Sequence, residues 1–225
     1  MPECEDGMND EAAAAGAFFP TPVLANAVER VEGPWSAPRH ALPGLKALRR
    51  DDRGAGPAYT IRLRRAASRS AQNTREVLAA YDAAPPGAFV IVQVVDDVGG
   101  AVLGDIIAHR LGVIGIAGIA VCGAVRDVAG LEEFGPPLWY AELATTGLEM
   151  AETAVETQVE LTLGQAVVRP GDVVVGDFDG VLALAPATMP AVAEAAGAVL
   201  EREERWHREL ATGRSLVEVL LPPGA

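Results

Sequence analysis

AFVIVQVVDDVGGAVLGDIIAHRLGVIGIAGIAVCGAVRDVAGLEEFGPPLWYAEL, residues 88–143, is the stretch that decides the fold. Its opening run AFVIVQVV (88–95) is continuously apolar and rich in β-branched residues, as a strand covered on both faces must be. DDVGG supplies a turn, and AVLGDIIAHRLG (101–112) reads as a helix. IGIAGIAVCG (114–123) is a second buried strand, AVRDVAGLEEFG (124–135) a helix or helical turn, and PPLWYAEL (136–143) a third strand. A β-α-β-α-β succession of this kind predicts an α/β layer architecture.

Upstream, PTPVLANAVERVEG (20–33) reads as a short helix with proline near its first turn and glycine at its end. Residues 34–56 are loop-like, AYTIRLRR (58–65) alternates as a strand, and NTREVLAAYDAAPPG (73–87) is a capped helix stopped by two prolines. Downstream the character changes. TAVETQVELTL (153–163), QAVVRPGDVVVGD (165–177) and GVLALAP (180–186) are strand-like and separated by turns, which predicts an antiparallel block. PAVAEAAGAVLEREERWHRELATG (190–213) suits a long amphipathic helix able to pack on a neighbouring subunit. The expected organisation is one domain over 17–213, with an acidic, disordered tail at 1–16 and a short tail at 214–225.

The composition excludes several classes. Half of the 225 residues are hydrophobic, and 24 glycines and 16 prolines fit a compact α/β protein with many turns. A net charge of −13 disfavours nucleic-acid binding, although Arg62, Arg64 and Arg65 form a local cluster. Cys4 and Cys122 make no disulfide framework, the acidic start is unlike a secretory signal, and no apolar run is long enough to span a membrane. A cytoplasmic protein is expected, with no membrane partner. The single lysine, Lys46, sits in a polar segment, unsuited to Schiff-base chemistry. His40, His109 and His207 lack metal-ligand spacing.

Arg126 and Asp127 follow a buried strand, so their side chains emerge at its carboxyl end, where open α/β sheets tend to bind ligands. Arginine offers a planar donor fork to a carboxylate and aspartate a hard oxygen to Mg²⁺ or Mn²⁺, so together they can hold the two ends of a 2-oxo acid. Gly104, Asp105, Ile106 and Ile107 fall where a turn feeds a helix, whose first N–H groups can receive an anion while Asp105 polarises a water. An Arg-Asp pair is also what an ordinary surface ion pair, or an acid at a helix start, looks like.

At these residues the chain resembles the RraA-like family, named for a regulator of ribonuclease activity and including the 4-hydroxy-4-methyl-2-oxoglutarate aldolases. Aldolase members carry Asp, twenty residues, then Arg-Asp, and here twenty residues separate Asp105 from Arg126 and Asp127. GPAYTIR, LGDIIA, GIAVCGAVRDV and RPGDVVVGDFDGVLALAP resemble the family's blocks in the family's order, over roughly residues 18–212. The resemblance implies a swivelling β/β/α domain, here with N- and C-terminal helical extensions, assembled as a homotrimer or a dimer of trimers (a homohexamer) with the site between subunits. It also implies a class II, metal-dependent carbon-carbon lyase, an aldolase or an oxaloacetate-type decarboxylase, acting on a small 2-oxo acid with Mg²⁺ or Mn²⁺. By the same mapping Asp127 helps hold the metal through waters, and Arg126 binds substrate and steadies the oxyanion. Asp105 positions or deprotonates a water, and Gly104–Ile107 contact the pyruvyl unit largely through backbone.

Two positions depart from the aldolase pattern. The acid that follows two residues after Arg-Asp is here Gly130, and neither Glu132 nor Glu133 would point the same way from a helix. The loop after the third strand, ATTGLEMAETAVE (144–156), replaces a Gly-rich, Thr-Pro-containing loop. Beside the lyase stand two alternatives: a non-catalytic regulator that binds a ribonuclease or its helicase, and a family member recruited to another pathway for enolisation or cleavage of a different oxo acid.

Other conspicuous residues have plainer readings. Asp172, Asp177 and Asp179 read as turn-forming acids rather than a calcium loop. Trp35 and Trp139 suit a core or an interface better than a pocket wall, and Trp206 lies on the helix expected at an interface.

Overall fold

The longest strand, β2 (Gly54–Arg65), organises the molecule because its two halves have different neighbours. One edge pairs in parallel with β3 (Phe89–Val94). The other edge pairs antiparallel with β9 (Val173–Asp177) through residues 54–57, then with β6 (Thr153–Thr157) through residues 61–65. In this computed structural model residues 19–96 and 98–221 are described, so the segment read as an acidic tail, 1–16, lies outside the described residues.

Parallel pairing continues from β3 to β4 (Gly118–Val125) and β5 (Leu138–Leu143), and the antiparallel side continues from β9 to β10 (Gly180–Leu184). The helices α2 (Ala71–Asp82), α3 (Asp105–Ile114) and α4 (Val128–Phe134) connect the parallel strands. A short hairpin, β7 (Leu161–Leu163) with β8 (Ala166–Val168), lies off the main sheet. The segment from His40 to Leu48 links the two ends of the sheet. Ala183 N donates to His40 O and Leu42 N to Val181 O, while β1 (Lys46–Ala47) pairs with β5. The sheet is thereby nearly closed.

Alternation along the strands divides the core. Phe89, Ile91, Ala120, Trp139, Val174 and Val181 point inward, where Leu161, Leu163 and Val168 of the hairpin join them. Tyr59, Ile61, Leu63, Val90, Val92, Ile119 and Val121 point outward against α2, α3 and α4. On the antiparallel side Val173, Val175, Leu182 and Leu184 meet the flanking helices α1 (Thr21–Glu32) and α5 (Met189–Ala211). The helical extensions therefore cover the outer face of β9 and β10, completing the swivelling β/β/α arrangement.

Three local readings shift. β2 starts at Gly54, inside the stretch read as loop, because Gly54 and Gly56 let the backbone press against neighbouring turns; a Cβ at Gly56 would stand 2.2 Å from Gly87 O. The segment 153–163 divides at Gln158, whose φ is 55°, into β6 and β7. Beyond residue 213, Ser215 and Glu218 form a capping box on a last short helix, α6 (Leu216–Leu220).

Candidate active site

β4 ends at Val125, and the next two residues, Arg126 and Asp127, make the turn into α4. Asp127 adopts the left-handed conformation (φ 62°, ψ 46°), which breaks the strand sharply and starts α4. Backbone in that region costs a non-glycine residue free energy, so the surrounding structure must hold it there. Arg126 N donates to Leu103 O (3.0 Å) and Leu131 N to Asp127 O (3.0 Å), fixing the turn on both sides. Arg126 Nε stands 3.2 Å from Asp127 Oδ2, and both side chains remain 46% exposed.

The segment entering α3 is held between β4 and the loop after β5. Val102 N donates to Ala124 O (2.9 Å), Ala101 N to Thr146 O (2.9 Å) and Leu148 N to Ala101 O (2.9 Å). From below, the buried Tyr81 hydroxyl donates to Val102 O (3.0 Å). These ties deliver Gly104 and Asp105 beside Arg126 and Asp127. A Cβ on Gly104 would stand 2.8 Å from Asp127 Oδ2 and 3.5 Å from Arg126 Nε, so only glycine fits there without displacing the pair.

Asp105 heads α3, with Oδ1 accepting from Ile106 N (2.8 Å). The first intrahelical bond runs from Ala108 N to Gly104 O (3.0 Å), which leaves the N–H groups of Asp105 and Ile107 without partners among the described residues. The Ile106 side chain is 78% exposed, whereas Ile107 packs on the core, so what the first turn presents to the site is backbone N–H.

Gly130 lies on α4 directly beneath Asp105. A Cβ at 130 would stand 2.5 Å from Asp105 Cβ and 2.8 Å from Asp105 Oδ2. The Asp105 carboxylate therefore occupies the space into which a side chain at 130 would project. Glu132 and Glu133 lie elsewhere: the Glu132 carbonyl accepts from Arg49 Nη1 (2.8 Å), and Glu133 borders a groove with His109 and Pro136.

Hydrogen-bonding capacity sets these carboxylates apart. Among the described residues no hydrogen bond engages Asp105 Oδ2, Asp127 Oδ1 or Arg126 Nη1 and Nη2. Two open carboxylate oxygens beside a guanidinium fit a hard cation that keeps most of its waters, as Mg²⁺ and Mn²⁺ do. No group of three or more His, Cys, Asp or Glu converges among the described residues, so a dry cage of protein ligands is not what is offered. Cys122, half-buried within β4, has its thiol pushed up to about 12 by burial and is no thiolate nucleophile. Lys46 is exposed on β1 opposite Tyr140, and His109 stacks on Phe134 at 5.1 Å.

The family model for RraA-like proteins, described as Aldolase/RraA, matches residues 22–183. The chain belongs to the RraA-like family. A protein of Halalkalibacterium halodurans, provisionally named 4-hydroxy-4-methyl-2-oxoglutarate aldolase, is 31% identical over 138 residues, 61% of this chain and 62% of that one. The match thus spans less than two thirds of that relative's length. RraA-like architecture recurs in solved structures. An uncharacterized protein from Pseudomonas syringae pv. tomato superposes with a TM-score of 0.79 at 21% identity, covering 94% of this chain and 93% of that one. Streptomyces coelicolor RraAS2, described as an unusual member of the RNase ES inhibitor RraA protein family, superposes with a TM-score of 0.72 at 23% identity, covering 91% and 96%. Likeness at these identities carries the fold.

The sequence and its family resemblance singled out Gly104, Asp105, Ile106, Ile107, Arg126 and Asp127, and the fold brings all six to one place. It left Trp139 open between core and pocket; the residue is fully buried, its indole N–H donating to Asp177 O (2.6 Å). Sequence reasoning passed over Gly147, in the loop after β5. A Cβ there would stand 2.9 Å from Arg126 Nη1. A lone glycine in a polar loop carries no periodic or spacing signal, so only the folded contact reveals it.

Proposed function

We propose that this chain is a divalent-cation-assisted lyase that cleaves or decarboxylates a small 2-oxo acid through a pyruvate-type enolate. The observation that carries the reading is the convergence, around Gly104, of the Arg126 fork, the N–H groups of Asp105 and Ile107, and the Asp105 and Asp127 oxygens, which are left without hydrogen-bond partners among the described residues. The aldolase name borne by the Halalkalibacterium halodurans relative supports it.

Mg²⁺ or Mn²⁺, held by Asp127 through water, would supply Lewis-acid polarisation of the 2-oxo group. Arg126 and the first-turn N–H groups bind the substrate's carboxylate and 2-oxo oxygen, and Arg126 stabilises the negative charge that grows on that oxygen. In a retro-aldol step, Asp105 takes the C4 hydroxyl proton directly or through a water. The C3–C4 bond breaks into a carbonyl product and the enolate of pyruvate, which a proton returned to C3 converts to pyruvate. In a decarboxylation the same enolate forms as carbon dioxide leaves. Gly130 and the loop 144–156 distinguish this chain's site, and with it the choice of oxo acid. Arg126 and Asp127 stand open on a single chain, which suits a site covered by a neighbouring copy in a trimer or a dimer of trimers.

The test is pyruvate release from a panel of C4 to C7 2-oxo acids with Mg²⁺, with Mn²⁺ and with chelator. Cation-dependent turnover is expected, falling at least about 100-fold in Arg126→Ala. Absence of turnover across the panel, or an Arg126→Ala variant equal to the parent, overturns the lyase; capture of a ribonuclease or helicase by such an inactive parent would restore the regulator alternative.

A further inference from the structure

The three charged side chains of the site each lie against a glycine: Asp127 on Gly104, Asp105 on Gly130 and Arg126 on Gly147. The first two glycines belong to the elements that carry the site. Gly147 does not; it lies in the loop beyond β5, more than twenty residues after Arg126.

Its contact with the guanidinium is broadside. A Cβ on Gly147 would stand 2.9 Å from Nη1, 3.0 Å from Cζ and 3.4 Å from Nη2. An edge-on approach would bring a nitrogen well inside Cζ; near-equal distances mean that one face of the guanidinium plane is turned to the side of Gly147 where a Cβ would stand. That backbone is itself fixed. Ala101 bridges to Gly147, Ala101 N donates to Thr146 O, and a Cβ on Gly100 would stand 2.5 Å from Thr146 O, leaving the two segments in direct apposition. The Nε edge faces Asp127 Oδ2 at 3.2 Å, so the plane is set by Gly147 and its rotation within that plane by Asp127. What remains is the Nη1–Nη2 edge.

We infer that Gly147 is a positioning residue for Arg126: its bare backbone is the platform that fixes the guanidinium plane, and so the direction from which a substrate carboxylate meets the Nη1–Nη2 fork. The inference rests on the reading of Arg126 as the carboxylate-binding residue. It places selectivity partly in the loop 144–148, which acts by aiming Arg126 rather than by touching substrate. Bidentate pairing is planar and tolerates little tilt, so a methyl group on this platform should be felt in binding. Gly147 is not among the residues with positive φ, so alanine can adopt its backbone, and the group that must yield is the far end of a flexible side chain. The fold should survive the change.

The experiment is calorimetric titration of the full chain with oxalate in the presence of Mg²⁺, alongside thermal melting. Gly147→Ala should weaken oxalate binding about tenfold with an unchanged melting temperature. Thr146→Ala, a change in the same loop at a hydroxyl that donates to Gly99 O, should bind as the parent does. Over Arg126→Lys, which has no plane to align, adding Gly147→Ala should cost less than about twofold. If Gly147→Ala binds like the parent while Arg126→Ala loses oxalate, the positioning role alone is overturned. An equal loss from Gly147→Ala over arginine and over lysine, or a loss that tracks a lowered melting temperature, marks a general loop effect and also overturns it. If parent and Arg126→Ala bind oxalate alike, the carboxylate-binding reading of Arg126 falls first, and this inference with it.

Discussion

Asp52, just before β2, and Asp177, at the end of β9, have both carboxylate oxygens taken up by hydrogen bonds. Asp52 receives Arg49 Nε and Arg49 N at 2.8 and 2.9 Å and Leu138 N at 3.3 Å; Asp177 receives Thr21 N, Thr21 Oγ1 and Asp179 N at 2.7, 2.6 and 2.9 Å. At the ends of the parallel strands Asp105 and Asp127 each keep one oxygen without a hydrogen bond among the described residues. The same residue type thus does two jobs. Where a carboxylate is saturated by fixed donors it holds local structure; where it is left half-open beside a guanidinium it has capacity for a cation, a water or a proton.

Substitutions should separate the two kinds of acid. The largest effect is expected from Asp105→Asn, which keeps the shape and removes the base: turnover should fall at least about 100-fold with no change in melting temperature. A matching fall in both would place Asp105 with the structural acids. Asp52→Ala should do the reverse. It leaves Arg49, which also donates to Glu132 O and Pro136 O at 2.8 Å, without its partner in a nearly dry site, and chemical denaturation should show a loss of about 3 kcal/mol. The smallest effect is Asp177→Ala at the start of α1, about 1 kcal/mol by the same measurement. An Asp177→Ala variant as stable as the parent would mean that the α1 end finds other partners.

The parallel half was legible because its strands are buried on both faces, and uninterrupted Val, Ile and Ala runs such as 88–95 and 114–123 have few other solutions. The first half of β2 was not, since Gly54, Gly56 and Pro57 have the composition of a turn and become a strand only through their contact with the turns at Gly87 and Ala117. The same division runs through the site. Asp105, Arg126 and Asp127 stand out through the family resemblance that their spacing carries, whereas by residue type alone the Arg-Asp pair also reads as an ordinary ion pair. Gly130 reads in sequence as a lost acid, while in the fold it is the floor beneath Asp105. Gly147 gives no sign at all, because what matters there is the absence of an atom next to a residue distant in sequence.

The His40–Leu48 segment also bears on how the chain is made. Its bonds to the two ends of the sheet include that of His40 Nδ1 with Ala183 O, across 143 residues, so the ring of strands cannot be completed until β10 has left the ribosome. Closure is then among the least local events in folding and should come late. Until it does, β10 and β5 present open edges, and the nascent protein passes through a stage at which chaperone capture competes with self-association.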